Sequence, residues 1–264
     1  DDDFSSIVRA VRLGRRIYDN LRKAMSYIIS IHIPLAGVIL LPVLLGWGPI
    51  FHAVHIVFLE MVIDPACSVV LEAEEEEPGV MSRPPRDTNR SMISLPTACV
   101  AVLQGAAILA AAMLVFYYSQ SIPAIGFTPK QARAIAFATV IIANLGLIVE
   151  DRSWVLWFGA TLRRPNRAMW VVLIIVVPFM FLVLFTPGII TLFGFERMHP
   201  LGIPVFLGLG LASTIWFEIF KVFRNCWLRR HNKRKELTKT AQPKIEMTEL
   251  PSTSTAAAPA PSDV

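Results

Sequence analysis

Two acidic residues inside an apolar segment are the first candidates for chemistry. Glu60 and Asp64 stand four residues apart, so a helix would present both side chains on one face, one turn apart. Pro65 follows directly, and because proline has no N–H it would leave the carbonyl of Met61 without its helical partner. Two carboxylates beside a free carbonyl suit a small hard cation or a proton. The alternative is structural, with one acid protonated and hydrogen-bonded to a neighbouring helix.

Further polar residues in apolar segments are candidates for the same site. His32 lies two residues before Pro34, which in a helix would free another backbone carbonyl. A histidine there can accept a proton, bind a metal ion or form a buried hydrogen bond. Asn144 is a weaker candidate, because an asparagine within an apolar helix can instead link two helices by a hydrogen bond. His52 and His55 lie near the end of their segment, which favours an interfacial position.

The composition indicates what kind of element must position these residues. The 264 residues are 54% hydrophobic and 17% charged, with a mean hydropathy of +0.55. Soluble domains have about 25% charged residues, so a soluble enzyme and a disordered chain are both excluded. The net charge is +5, but the basic residues mostly flank apolar runs, where they set membrane topology. We therefore expect no nucleic-acid partner.

Six apolar runs are long enough to cross a hydrocarbon core of about 30 Å. They predict an all-α polytopic membrane protein with six transmembrane helices in three hairpins. Residues 1–23 would form a basic stalk or linker, 24–228 the transmembrane domain, and 229–264 a basic and then disordered tail. The predicted spans are 25–45, 51–71, 97–118, 132–149, 169–185 and 203–222.

Lysine and arginine accumulate at both ends of the chain and in two alternate loops. With six spans, both termini lie on this basic side, which the positive-inside rule places in the cytoplasm. We expect a multi-pass protein of a plasma or inner membrane. The tail is rich in Pro, Ser, Thr and Ala and cannot bury enough apolar surface to offset its ordering entropy. Because the chain begins with Asp1 rather than Met, we expect a piece of a longer protein.

Several strings together resemble the P-type cation-transporting ATPases over about residues 1–228. The strings DDFSSIV at 2–8 and GRRIYDNLRK at 14–23 resemble that family's segment between the phosphorylation domain and the fifth membrane helix. The string VMSRPPR at 80–86 resembles the loop after the sixth helix, and WFEIFK at 216–221 resembles the last helix. Asp64, followed by proline, stands where the family has an ion-binding aspartate.

The resemblance implies the fifth to tenth helices of a ten-helix pump. Glu60, Asp64 and His32 would contribute to the cation site, and the stalk would couple phosphorylation to the fifth helix. ATP and Mg²⁺ are implied for the full-length pump only, since the family's Asp-Lys-Thr-Gly motif does not occur in this chain. The implied partners are the transported cation, the lipid bilayer, the remaining pump domains and the first four helices.

The candidate site departs from that of the calcium pumps. His32 and Glu60 each stand in place of an asparagine, Leu35 replaces a glutamate and Ile63 replaces a threonine, whereas Asp64 is retained. Two carboxylates are too few for two calcium ions with six to eight oxygen ligands each. One divalent metal ion or a proton therefore stays open as the cargo. A rival interpretation is a non-enzymatic six-span permease, channel or accessory subunit derived from a pump, which leaves enzymatic activity undecided.

Overall fold

The structure is a computed structural model that describes the backbone of residues 4–85, 91–121 and 126–241. The side chains of residues 62–64, 66–67, 119–121 and 227–241 lie outside the described part. The chain divides into two compact units, Asp1–Arg224 and Asn225–Val264.

All regular elements of the described part are helices, which confirms the predicted all-α class. A π turn (Leu59–Ile63) and a 3₁₀ turn (Val80–Ser82) accompany the α-helices. The α-helices are α1 (Phe4–Leu44), α2 (Ala53–Phe58), α3 (Asp64–Glu72), α4 (Leu95–Ser121), α5 (Pro129–Asp151), α6 (Phe158–Leu162), α7 (Arg167–Phe185), α8 (Pro187–Leu192) and α9 (Gly202–Ala241).

Among the described helices, five are long and apolar enough to cross a membrane, namely α1, α4, α5, α7 and α9. The second predicted span is divided, because α2, the π turn and α3 follow one another without a gap from residue 53 to 72. A π turn uses i to i+5 hydrogen bonds. This one ends two residues before Pro65, which cannot donate to the residue four before it. The second predicted span therefore has the required length, but it is not one continuous α-helix.

Helix α1 joins the predicted stalk and the first span in a single element of 41 residues. Pro34 and Pro42 lie within it and do not end it. The helix ends at Leu44, and Gly46 then adopts a positive φ of +69°, a conformation that glycine allows without steric cost. The stalk residues are thus continuous with the residues of the candidate site, with no joint between them.

Helix α9 extends further along the chain than the sequence predicted. Its last residue is Ala241, whereas the tail was expected to begin at 229. Residues 227–241 contain neither glycine nor proline and include several arginines, lysines and leucines, which are good helix formers. Residues 242–264 lie outside the described part, so disorder there stays a prediction.

Small residues allow the central helices of the first unit to approach closely. Helix α5 supplies much of the core, including Phe137, Val140 and Ile141, all at most 1% exposed. Gly105 of α4 lies against α1, where an added Cβ would overlap the carbonyl oxygen of Ser30. Close approach at glycine is the usual way for membrane helices to gain packing contacts. The α1–α4 contact holds in place the half of α1 that carries the candidate site.

Candidate cation site

The described part of the candidate site is a pair formed by His32 and Glu60. His32 lies in α1 and Glu60 in the π turn, and the Nε2 atom of His32 is 3.9 Å from Oε1 of Glu60. The two side chains are 53% and 40% exposed within this chain. The structure therefore brings together two of the residues that the sequence nominated from different apolar segments.

A backbone hydrogen bond determines which nitrogen of His32 faces Glu60 as a lone pair. The Nδ1 atom lies 2.8 Å from the carbonyl oxygen of Ile28, and because a carbonyl only accepts, Nδ1 must carry the proton. In the neutral imidazole, Nε2 is then the unprotonated nitrogen. A nitrogen lone pair and a carboxylate 3.9 Å apart can share a proton or contribute to the coordination of one metal ion.

The other predicted donors are placed less completely. The side chain of Asp64 lies outside the described part, and its backbone begins α3 directly after the π turn. Met61 lies within the π turn with its side chain 73% exposed. Its carbonyl lies four residues before Pro65, which has no N–H to donate to it. The role of that carbonyl as a ligand stays a prediction.

Asn144 lies in α5 and is 1% exposed. Its Oδ1 atom accepts no hydrogen bond from the described residues. A buried amide oxygen without a donor costs roughly 1–3 kcal/mol. The expected interhelical hydrogen bond to this oxygen is thus not formed within the described part, and Asn144 forms no hydrogen bond there with His32 or Glu60.

No group of three or more His, Cys, Asp or Glu side chains in the described part is placed to hold a metal ion. The search does not include the side chain of Asp64. The described geometry thus supplies two donors, one nitrogen and one carboxylate. The predicted further ligands, the carboxylate of Asp64 and the backbone carbonyl of Met61, are not placed by this geometry.

His55 is a buried structural residue near the start of α2, and its predicted position at the membrane interface stays a prediction. It is 0% exposed; its Nε2 donates to the carbonyl of Phe193 at 2.7 Å, and its Nδ1 accepts from the backbone N–H of His52 at 2.8 Å. Its ring stacks on Phe195 with 4.7 Å between centroids. Because both ring nitrogens are occupied, His55 has no free ligand atom. The signal for this role is the set of phenylalanines around His55. They come from distant segments, so the sequence near His55 does not indicate that they pack against it.

A layer of buried ion pairs lies at the other end of α3, where the sequence indicated only a polar loop. Arg152 donates from Nε to Oε2 of Glu74 at 2.6 Å, with both side chains at most 1% exposed. Lys23 lies 2.8 Å from Glu77, with both side chains at most 4% exposed. We call Lys23, Glu74, Glu77 and Arg152 the ion-pair layer. It ties α1 to the loop after α3 and to the loop after α5.

Helix α9 is attached to the same region through Lys221. Its Nζ donates to the carbonyls of Glu150 and Ser153 at 3.1 and 3.2 Å. It also pairs with Glu218 three residues earlier. The Oγ of Ser153 donates to Oε2 of Glu77 at 2.9 Å. Lys221 thus joins α9 to Ser153, and Ser153 in turn contacts Glu77 of the ion-pair layer.

The family model described as "Cation transporting ATPase, C-terminus" matches residues 48–223. This chain belongs to the P-type cation-transporting ATPases. A calcium-transporting ATPase of Listeria monocytogenes is 31% identical over 229 residues, which is 85% of this chain and 25% of that protein. One from Lactococcus lactis is 34% identical over 144 residues, covering 54% of this chain and 16% of that protein. The sodium/potassium-transporting ATPase subunit alpha of Drosophila melanogaster is 31% identical over 137 residues, covering 50% of this chain and 12% of that protein.

The chain thus spans a quarter or less of the length of these relatives. The family match and these relatives together confirm the resemblance to the P-type cation-transporting ATPases. It also covers the π turn with Glu60, the ion-pair layer apart from Lys23, and most of the membrane helices. This chain is therefore a multi-pass membrane protein and contains membrane helices of a cation-transporting ATPase.

Proposed function

We propose that this chain is the ion-pathway half of a P-type ATPase that moves cations across a membrane. It would contribute part of the cation site and the helix that couples the site to phosphorylation. The observation that carries the proposal is the pairing of His32 with Glu60, which belongs to a π turn inside the region that matches the family. Ionisable residues in membrane spans are expensive and commonly mark ion pathways, and π turns are frequent at functional sites.

The exposure of the pair supports a role that needs further helices. Intramembrane ionisable side chains almost always face the interior of a bundle or a water-filled cavity. His32 and Glu60 are about half exposed in this chain, and Met61 beside them is more exposed still. We infer that the first four helices of the complete pump cover this face and complete the coordination of the cation.

The donor set favours one small cation over two. His32 offers a nitrogen lone pair, Glu60 a carboxylate, and Asp64 would add a second carboxylate one turn along the helix. Calcium takes six to eight oxygen ligands, so this set with a few carbonyls and waters would suffice for a single divalent ion. The same imidazole–carboxylate pair could instead carry a proton, so the cargo we propose is a divalent metal ion or a proton.

The coupling role follows from the continuity of α1. The helix runs without a break from the stalk to the candidate site. An α-helix rises about 1.5 Å per residue, and a displacement of its stalk end is passed along that length. Lys23 fixes α1 to two loops at the base of the stalk. A pull on the stalk would therefore move His32 together with the ion-pair layer. ATP and Mg²⁺ would act on domains of the full-length pump, with both termini of this chain in the cytoplasm and the pump in a plasma or inner membrane.

The test is to replace Asp64 with Asn in the full-length pump and to measure ATP hydrolysis as a function of cation concentration. We expect cation-stimulated hydrolysis to be abolished, because the amide is a neutral and weaker ligand for a hard cation. Glu75→Gln is the matched control, since Glu75 is an exposed acid in the loop after α3. Stimulation unchanged by Asp64→Asn would overturn the proposed site. Transport that proceeds without any ATP hydrolysis would favour the permease interpretation.

A further inference from the structure

Two arginines with no carboxylate partner line a cavity between α1, α4 and α9. Arg22 of α1 donates from Nη2 to Oγ1 of Thr97 at 2.9 Å, and its guanidinium lies 5.1 Å from the ring centroid of Trp154. Arg224 of α9 donates to the carbonyl of Trp154. Among the described residues, neither arginine forms an ion pair, and the buried Nε atom of each has no hydrogen-bond partner. Each guanidinium group thus keeps at least one N–H donor without an acceptor among the described residues.

The space beside these arginines has an apolar part and a charged part. A cavity of about 160 Å³ is lined by Arg22, Trp154 and Arg224 together with apolar residues that include Val100, Phe217 and Phe220. A second cavity of about 360 Å³ shares the same three residues and extends along the stalk side of α1. An occupant that fills both must have an apolar portion and a polar portion.

The charge balance of the second cavity is positive. Its lining contains four cations and two acids. Each acid is matched to its own cation, Asp19 to Arg83 and Glu77 to Lys23, both at 2.8 Å. Arg22 and Arg224 are the two cations left over, and their positive charges repel each other while Glu77 attracts Arg224. A bound anion would relieve that repulsion.

The cavity lies at the depth where lipid phosphates are found. Arg22 lies three residues before the first apolar run, at 25–45, and Arg224 lies two residues after the last, at 203–222. Thr97 stands at the start of the third run. All three residues therefore lie at the boundary between the hydrocarbon and the polar side of the membrane, on the side that carries most of the lysine and arginine.

We propose that this cavity binds the phosphate group of an anionic phospholipid, with the acyl chains against Phe217 and Phe220. Arginine binds phosphate oxygens through paired N–H groups, and basic pockets between membrane helices on this side bind anionic headgroups. The free Nε atoms of Arg22 and Arg224 supply the donors, and the apolar cavity receives the start of the chains. The lipid would thereby link the stalk end of α1 to α9, where no carboxylate of the described residues pairs with Arg22 or Arg224.

The test is native mass spectrometry of the protein in mild detergent, titrated with phosphatidylglycerol, phosphatidylcholine or inorganic phosphate. We expect phosphatidylglycerol to be retained preferentially. The double variant Arg22→Gln with Arg224→Gln should bind it roughly 30-fold more weakly, since each arginine near the headgroups contributes about a five-fold factor. The control removes the same charge from two exposed residues, Arg163 directly after α6 and Arg167 at the start of α7, by substitution with Gln, and it should leave the affinity unchanged.

Several results would overturn this proposal. Equal binding of phosphatidylglycerol and phosphatidylcholine would exclude selection by the arginines, and equal losses in the two double variants would indicate general surface charge. Competition by inorganic phosphate at the affinity of the lipid would assign the site to free phosphate instead. If the glutamine variant loses its helical circular dichroism, the same titration is made with Arg22→Lys and Arg224→Lys. Those substitutions keep the charge but remove the fork, so a loss of several-fold is expected, and no loss would contradict the proposal.

Discussion

The Nζ atom of Lys23 lies 2.8 Å from Oε1 of Glu77, and neither side chain is more than 4% exposed. Lys23 stands where the stalk part of α1 meets the first apolar run, and Glu77 lies in the loop after α3. The same ammonium group donates to the carbonyl of Arg152 at 2.7 Å. The base of the stalk is thus tied to two loops at one point, and any motion of α1 must carry those loops or break a buried ion pair.

We predict that Lys23→Met destabilises the protein by roughly 3–5 kcal/mol, because it leaves the carboxylate of Glu77 buried without its partner charge. Glu77→Gln should have an effect of similar size for the converse reason. The double variant Lys23→Met with Glu77→Leu should recover much of the loss, since apolar pairs often replace buried ion pairs without penalty. Urea unfolding in detergent, followed by circular dichroism, measures these differences. Strictly additive effects in the double variant would show that the two residues are not coupled.

The sequence predicted the membrane helices well and the ion-pair layer not at all, for a physical reason. Apolar runs and their lengths are local properties, so five of the six predicted spans match single described helices. The partner of a charge is not local, since Glu74 meets Arg152 from 78 residues away along the chain. From its own neighbourhood the run Glu74–Glu77 indicates only a solvated loop. The burial of His55 was missed likewise, because its aromatic neighbours come from distant segments.

The candidate site was predicted in part, less completely than the membrane helices but better than the ion-pair layer. Glu60 and Pro65 are close in sequence, so a distorted helix with an acid beside it could be inferred from the spacing. The π turn itself was not predicted, because the sequence shows that a hydrogen bond is lost but not how the backbone compensates. The contact of His32 with Glu60 depends on the packing of α1 against the second span. The sequence nominated both residues without specifying the distance between them.

We predict that Gly105→Ala destabilises the contact between α1 and α4. An added Cβ would overlap the backbone carbonyl of Ser30 and lie 2.7 Å from the Cβ of Ile33, so a helix must move to accommodate it. Overpacking of this kind typically costs roughly 1–3 kcal/mol. The thermal midpoint in detergent should fall. Gly208→Ala is the matched control, because an added Cβ there meets nothing within 4 Å, and a fall of the same size in both variants would contradict the packing argument.

We predict that Arg12→Gln raises the pKa of Glu76. The hydrogen bonds that Arg12 donates to this carboxylate, at 2.9 and 2.7 Å, hold its pKa below the usual value, with the positive charge adding to the effect. A carboxyl group with a lowered pKa in the folded protein stabilises the fold above its unfolded pKa of about 4.3. That contribution is lost as the pH falls through the lower, folded value. NMR titration of the Glu76 side-chain carboxyl carbon measures the shift, which should be small in high salt because the pair is exposed. An unchanged titration in Arg12→Gln would refute the assignment.

We predict that His32→Ala weakens the dependence of cation binding on pH in the full-length pump. The lone pair of Nε2 faces Glu60 at 3.9 Å, so a proton at that nitrogen would compete directly with a bound cation. In the unaltered pump the cation concentration for half-maximal ATP hydrolysis should therefore rise as the pH falls. Without the imidazole this rise should flatten, while the affinity at the higher pH falls because one ligand is lost. His199→Ala, in an exposed loop, should keep the full pH dependence; a His32→Ala variant with the same profile as the unaltered pump would show that His32 only packs against its neighbours.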